Sequence, residues 1–355
     1  MRIGIHTQKL TTNYGGILQN YALQTILRKM GHEVWTFDIV KYTWGDWGIA
    51  VIKTIIKKIL GRKASFPMSP NKRKNKQRPL RTFVHKYINL TTNVKRINKS
   101  LIEEYGLNAL LVGSDQVWRP IYNSHIEDMF FGFVENQDVV KIAYAASFGT
   151  NQWEYSPLQT SKCAKLAKLF KAISVREDSG VDLCRTHLGV QATHVLDPTL
   201  LLTPKDYNEL CKDIPKHEPF VFAYILDMDE RKIAEIKTLS ESHGLPYFIK
   251  SAGPNIETSD SIELWLSYFR DAAYVITDSF HGTAFSINYN KDFLVFDNVE
   301  RGNSRFESLL NLLNLKNRVV KSVIDRCSSI NWNEVNQLLN SERQRCQDWL
   351  KKSLS

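Results

Sequence analysis

The chain has 355 residues, of which 43% are hydrophobic and 24% are charged, and its formal net charge is +10 at pH 7. These proportions exclude a disordered chain, and the length favours two domains with a cleft between them. The positive charge indicates an anionic partner, which is a nucleic acid, a phosphorylated small molecule or an anionic membrane surface.

The cysteines and the apolar runs narrow the class of protein further. The five cysteines stand singly, without a CxxC pair, which argues against a disulfide framework and a structural zinc site. The opening residues MRIGIHTQKL have no apolar stretch of signal-peptide length, and no uninterrupted apolar run reaches about 18 residues. The sequence therefore predicts a soluble, cytoplasmic protein.

The chain opens with a strand, a helix and a second strand. Residues 2–7 predict a short buried strand, and a polar turn with two glycines follows at residues 13–16. Apolar residues at helical spacing then run from Ile17 to Leu27, and residues 33–40 predict the second strand. Such a unit is how an α/β domain begins.

The same alternation recurs along the chain, with strands predicted at residues 109–112, 141–146, 172–175, 194–197, 220–225, 247–250, 273–278 and 293–296. We therefore predict an α/β fold with two Rossmann-like domains, over residues 1–200 and 201–330, and a cleft between them. A polar amphipathic helix is predicted over residues 331–355, where it would pack back across the domains.

A basic insertion interrupts the first domain between about residues 43 and 100. Its first part places isoleucines and a leucine on one helical face, with lysines beside them and two tryptophans upstream; these residues are Ile49, Ile52, Ile55, Ile56, Ile59, Leu60, Lys53, Lys57, Lys58, Lys63, Trp44 and Trp47. This pattern is typical of a helix that lies in a membrane interface, and the following run KRKNKQR would be attracted to anionic headgroups by about 1 kcal/mol per charge. The segment from about 44 to 81 is thus a candidate for peripheral membrane contact, and the alternative is that its apolar face packs on the protein's own core.

Polar residues at the ends of predicted parallel strands are the candidates for a binding site, because ligands of open α/β sheets bind there. Asn13, Tyr14 and Gly15 follow the first strand, and paired glycines let backbone amides approach an anion. The same turn can also be a simple connection.

The turn at residues 277–283, TDSFHGT, combines hydroxyls, a carboxylate and an imidazole. His281 is a candidate for general acid–base work near neutral pH, and Ser279, Gly282 and Thr283 share its turn. A histidine in this place can instead serve only as a structural hydrogen-bonding group.

Arginines provide the fork of donors that a phosphate or carboxylate requires. Arg176 ends a predicted strand, and Arg301 and Arg305 lie in the polar loop after another, although Arg305 can also be an ordinary surface residue. The segment GSDQVWR places Asp115, Gln116 and Trp118 after a third strand, a set suited to sugar hydroxyls and a sugar ring. A turn capped by Asp115 with a buried Trp118 is an equally good interpretation.

Six motifs, in order from residue 13 to residue 287, resemble the polysaccharide pyruvyl transferase family: NYGGILQNYAL, LVGSDQVW, AYAASFG, ISVREDSG, VLDPTLLL and VITDSFHGTAFSI. The resemblance implies a two-domain fold of glycosyltransferase-B type. It also implies a transferase that takes phosphoenolpyruvate as donor and acts on a cell-surface polysaccharide or its lipid-linked precursor, and whose product is a pyruvate ketal.

The resemblance further implies roles for the candidate residues. The histidine of SFHG falls on His281, the expected general acid, and the arginine of REDSG falls on Arg176, the expected donor ligand. The late family arginine corresponds to Arg301 or Arg305, and Asp115 is a base or an acceptor ligand. The first domain is expected to bind the acceptor and the second the donor. Neither a metal nor a resident cofactor is expected, since phosphoenolpyruvate is a co-substrate.

Three other functions compete with this prediction. A nucleotide-sugar glycosyltransferase would have the same architecture, and a sugar-binding module would use the same cleft without catalysis. A nucleic-acid-binding protein would explain the basic run at residues 72–81. That run lacks interleaved aromatic residues and belongs to no recognised nucleic-acid module, so we expect no nucleic-acid partner.

Overall fold

The structure, a computed structural model, describes residues 1–61, 64–134, 139–251, 259–297, 304–322 and 329–355. Its strands form two sheets in which all the paired strands are parallel. The first contains β1 Arg2–His6, β2 Glu33–Thr36, β3 Ala109–Gly113, β4 Val140–Ala146, β5 Ala172–Val175 and β6 Thr193–His194, in the order β2-β1-β3-β4-β5-β6. The second contains β7 Val221–Ile225, β8 Tyr247–Ser251, β9 Tyr274–Thr277, β10 Asp292–Phe296 and β11 Val319–Val320, in the order β11-β10-β9-β7-β8.

Helices alternate with these strands. They are α1 Tyr14–Lys29, α2 Trp44–Ile59, α3 Pro70–Tyr87, α4 Lys99–Glu104, α5 Pro157–Ala167, α6 Asp178–Leu183, α7 Pro204–Leu210, α8 Glu230–His243, α9 Ile262–Asp271, α10 Phe280–Asn288, α11 Ser304–Leu312 and α12 Trp332–Leu354. All five residues of β3 and of β7 are buried, as expected for parallel strands covered on both faces. The predicted α/β class with two Rossmann-like domains is confirmed.

The domain limits at residues 200 and 330 stay predictions. The last strand of the first sheet ends at His194 and the first strand of the second begins at Val221. The two halves are joined by aromatic packing, because the ring of Tyr14 stacks on Trp265 at 5.3 Å and its hydroxyl donates to the carbonyl of Asp260.

The C-terminal helix α12 packs back across the junction, as predicted. Its Cys346 Sγ accepts the N–H of Leu196, and its Arg343 donates to the carbonyl of Leu200 and to Asn288 Oδ1. Leu196 and Leu200 follow the last strand of the first half, whereas Asn288 belongs to α10 in the second half. Helix α12 therefore contacts both halves.

The basic insertion forms helices α2, α3 and α4. Helix α3 is anchored through Leu80, Phe83 and Val84, which are buried, whereas Thr54 is the buried residue of α2. The isoleucines of α2 are 43% to 78% exposed, so the alternative that this face packs on the protein's own core is wrong. No helix in the described part of the chain combines the length and the apolar character needed to cross a bilayer.

Candidate functional site

A cavity of about 550 Å³ lies where the two sheets meet. The residues that follow β1 and β3 line it from the first half, and those that follow β9 line it from the second. The predicted site residues on its wall are Asn13, Asp115, Gln116, Ser279 and His281. The carboxyl ends of the parallel strands thus converge on one site, as they do in other open α/β sheets.

The carboxylate of Asp197 is the centre of the polar network beneath this cavity. Its side chain is fully buried; Oδ2 accepts hydrogen bonds from Ser114 Oγ at 2.9 Å and Arg176 Nη1 at 2.8 Å. Oδ1 accepts from the N–H and the hydroxyl of Thr199. Burial alone would raise the pKa of Asp197, but the charges of Arg176 and His281 and these hydrogen bonds lower it below the usual value.

His281 joins the cavity to this network. It lies in the first turn of α10, and its Nε2 is 3.9 Å from Asp197 Oδ2. The ring also rests against Gly15, where a Cβ would overlap Nδ1. Gly15 is therefore required for close approach, and the imidazole is held between the first turn of α1 and the Asp197 carboxylate.

Two helices begin at the cavity. Asn13 caps α1 by accepting the N–H of Gly16, and Ser279 caps α10 by accepting the N–H of Gly282. Both caps line the cavity. The positive ends of two helix dipoles therefore act on the same space, which favours an anionic ligand.

Asp115 is held in an unusual conformation at the end of β3. Its φ is 68°, in the left-handed region that aspartate tolerates better than most residues. Oδ1 accepts the N–H of Gln116, Oδ2 accepts from Asn13 Nδ2, and Arg176 Nη2 lies 3.6 Å from Oδ1. The carboxylate is thereby fixed at the wall of the cavity, beside the N-cap of α1.

Arg176 lies beneath the cavity and does not line it. Its side chain is 1% exposed and pairs with Asp197 and Asp115, and its guanidinium lies 4.5 Å from the centre of the Phe280 ring. Burial opposes the charge of Arg176, yet the three nearby carboxylates keep its pKa above the usual value. Arg176 therefore positions two carboxylates, and the structure does not place it where it would contact a ligand in the cavity.

Several other candidate residues lie away from the cavity wall. Trp118 is fully buried, stacks on Phe130 at 4.7 Å and donates to the carbonyl of Met129, so the buried-tryptophan interpretation describes its position. Tyr14 packs between the halves. Gly282 and Thr283 are buried: a Cβ on Gly282 would overlap the side chain of Thr277, and the hydroxyl of Thr283 donates to the carbonyl of Ser279.

Arg301 and Arg305 are the two candidates for the second donor-binding arginine. Arg301 lies outside the described residues. The backbone of Arg305 belongs to the first turn of α11, and one turn later Ser308 bonds to Asp178, two residues after Arg176. Helix α11 thus runs beside the loop that carries Arg176.

Sequence reasoning did not select Asp197, Ser114, Arg73 or Lys76 as site residues. The signal for Asp197 was present, since it follows a strand within the motif VLDPTLLL. Arg73 and Lys76 belong to α3 and line the cavity, but the insertion matched no motif. Within the described ranges, the structure contains no group of three or more His, Cys, Asp or Glu side chains placed to hold a metal ion.

Comparisons with known proteins identify the family of this chain. The family model described as polysaccharide pyruvyl transferase matches residues 13–300. A comparison with curated protein sequences gives no significant match.

Among solved structures, the chain is similar to a UDP-GlcNAc 2-epimerase from Methanocaldococcus jannaschii. The TM-score is 0.45 at 8% identity, over 96% of this chain and 99% of that one. It is also similar to MnaA from S. aureus, with a TM-score of 0.48 at 10% identity, over 98% of this chain and 89% of that one.

Proposed function

Since the chain belongs to the polysaccharide pyruvyl transferase family, and is therefore a transferase, we propose that it moves the enolpyruvyl group of phosphoenolpyruvate onto a sugar. The acceptor would be a cell-surface polysaccharide or its lipid-linked precursor, and the product a pyruvate ketal. The observation that carries the proposal is the placement of His281 on the cavity wall with the buried Asp197 carboxylate 3.9 Å behind it.

This pair suits the first chemical step. C3 of the enol must accept a proton so that C2 becomes electrophilic, and a protonated His281 is the proton donor in the proposed scheme. The Asp197 carboxylate favours the protonated imidazole before the transfer. It is itself held anionic by Arg176 and Thr199, so it stabilises charge and does not compete for the proton.

The following steps use the sugar. One hydroxyl attacks C2, phosphate leaves with the C2–O bond electrons, and a second hydroxyl closes the ketal while both hydroxyl protons pass to solvent or to a base. Asp115 lines the cavity beside Gln116 and is our candidate for that base or for a ligand of the sugar. The N-termini of α1 and α10 favour the departing phosphate. The scheme uses no metal ion and no resident cofactor.

The surface of the insertion supports an acceptor that resides in a membrane. Residues 44–81 contain eleven Lys and Arg residues and one acidic residue, Asp46, so this segment carries a charge equal to the net +10 of the whole chain. The exposed isoleucines of α2 lie in the same segment. We therefore propose that the protein acts at the inner face of the cell membrane, where α2 would contact anionic lipid.

The decisive experiment combines product analysis with thermal unfolding. Phosphoenolpyruvate and a sugar with two suitable hydroxyls should give a ketal, detected by mass spectrometry, and an equal amount of phosphate. His281→Gln should unfold near the wild-type temperature and form no ketal, whereas His243→Gln, which alters an exposed histidine at the end of α8, should be fully active.

The midpoint temperature of thermal unfolding shows which donor binds, because a ligand that binds only the folded state raises that temperature. Phosphoenolpyruvate should raise the midpoint. Stabilisation by a uridine- or guanosine-diphosphate sugar alone, without ketal formation, would refute the proposal in favour of a glycosyltransferase.

A further inference from the structure

Besides the residues that follow β1, β3 and β9, residues of the insertion also line the cavity. Arg73, Lys76 and Gln77 on α3 line the cavity, together with Tyr42, which precedes α2. These three α3 side chains are partly buried, whereas Lys72, Lys74 and Arg78 on the same helix are exposed. Helix α3 therefore has a distinct cavity face that is separate from its solvent face.

If the cavity binds a phosphate, Lys or Arg side chains are needed on its wall. Arg176 is buried beneath it, where its Nη1 lies 2.8 Å from Asp197 and its Nη2 lies 3.6 Å from Asp115. Among the described residues, the Lys and Arg side chains that line the cavity are Arg73 and Lys76. The two acidic residues on the wall are already bonded, since Asp115 accepts from Asn13 and Asp278 accepts from Lys232 and the N–H of Leu226.

The side chain of Arg73 is positioned, and positive charge accumulates around it. Its guanidinium carbon lies 4.6 Å from the centre of the Tyr42 ring, within the range of a cation–π contact. On the loop after β1, burial and the charge of Arg73 both lower the pKa of Lys9. An anion bound at Arg73 would relieve this repulsion between like charges.

From this arrangement we propose that Arg73 and Lys76 form the site for a phosphate-bearing group in the cavity, opposite His281. The inference rests on the proposed function and names the residues that would hold its charged ligand. That ligand is either the phosphate of phosphoenolpyruvate or the diphosphate of a lipid-linked acceptor, which share the same chemistry. Each cation would supply charge-assisted hydrogen bonds to phosphate oxygens.

The test compares two double variants of one helix. Arg73→Gln with Lys76→Gln removes the cavity cations, and Lys72→Gln with Lys74→Gln removes the same charge from the solvent face. Isothermal titration calorimetry with phosphoenolpyruvate and with inorganic pyrophosphate measures binding without requiring turnover. We expect the first variant to lose roughly tenfold to hundredfold affinity for at least one of these anions, and the second to change less than about twofold.

Steady-state kinetics then show whether the bound group is the phosphate of phosphoenolpyruvate or the diphosphate of the acceptor. A raised KM for phosphoenolpyruvate with an unchanged acceptor KM would assign the pair to the donor. A raised acceptor KM alone, with weaker pyrophosphate binding, would assign it to the diphosphate. Unchanged binding of both anions by a folded Arg73→Gln, Lys76→Gln variant would overturn the inference. Absence of ketal product from the wild type would instead count against the proposed function and leave the binding result standing.

Discussion

Gly15 and the imidazole of His281 are in contact across the junction of the two halves, and the space between them does not admit a Cβ on residue 15. Replacing Gly15 by alanine should therefore displace the imidazole from Asp197. We expect kcat to fall at least about a hundredfold, because misplacing a catalytic group by about 1 Å has an effect of that size. Gly48→Ala is the matched control, since a Cβ there meets nothing within 4 Å. Equal activity in both variants would show that the position of His281 is unimportant.

Arg176 should be a determinant of stability as well as activity. Arg176→Met leaves the buried Asp197 carboxylate without its cation, and removing one member of a buried ion pair costs about 3 to 5 kcal/mol of unfolding free energy. Arg185→Met is the comparison, because Arg185 and its partner Asp182 are more than 60% exposed and the change should cost less than about 0.5 kcal/mol. Urea unfolding measures both, and equal midpoints would contradict the buried network around Asp197.

His6 should make the protein less stable in acid. Burial lowers its pKa to about 4, and the charge and carbonyl of Asp128 only partly oppose this. As the pH falls from 6.5 to 4, the unfolded chain takes up the proton first, so the native state should lose about 3 kcal/mol of stability through this group. His6→Phe keeps the aromatic packing against Phe37 and Phe131 without titrating. Its unfolding free energy should fall less over this range than that of the wild type, and parallel pH profiles would contradict the assignment.

The exposed face of α2 should determine binding to lipid. Ile52→Glu with Ile56→Glu places two charges in that face and should abolish sedimentation with vesicles that contain anionic lipid. Leu158→Glu with Leu169→Glu, which alters two other exposed leucines, should bind as the wild type does. Neutral vesicles should bind the wild type weakly, because the cations of residues 44–81 contribute about 1 kcal/mol each near an anionic surface. Unchanged binding of the α2 variant would refute membrane contact through this helix.

Much of the fold could be predicted because buried parallel strands are continuous apolar runs. This pattern predicts β3 and β9, and His281 and Asp115 are candidates because they follow those strands. Trp118 could not be placed, since its orientation depends on Phe130 and on the carbonyl of Met129, more than ten residues further along the chain.

The polar network was less predictable because its members are distant in sequence. Asp197 bonds to Arg176 and Ser114, which lie 21 and 83 residues away. The cavity face of α3 depends on how Leu80, Phe83 and Val84 anchor that helix. A basic run in the sequence does not indicate which of its Lys and Arg side chains line the cavity.

The aromatic stack between Tyr14 and Trp265 has a consequence for how activity responds to denaturant. The imidazole of His281 belongs to α10, which follows β9 of the second sheet, and its carboxylate partner Asp197 follows the last strand of the first. Each half can keep its own strands and still be inactive if the two move apart by a few ångströms. Activity in this chain should therefore depend on how the two halves pack against each other, as it does in enzymes whose active sites are shared between subunits.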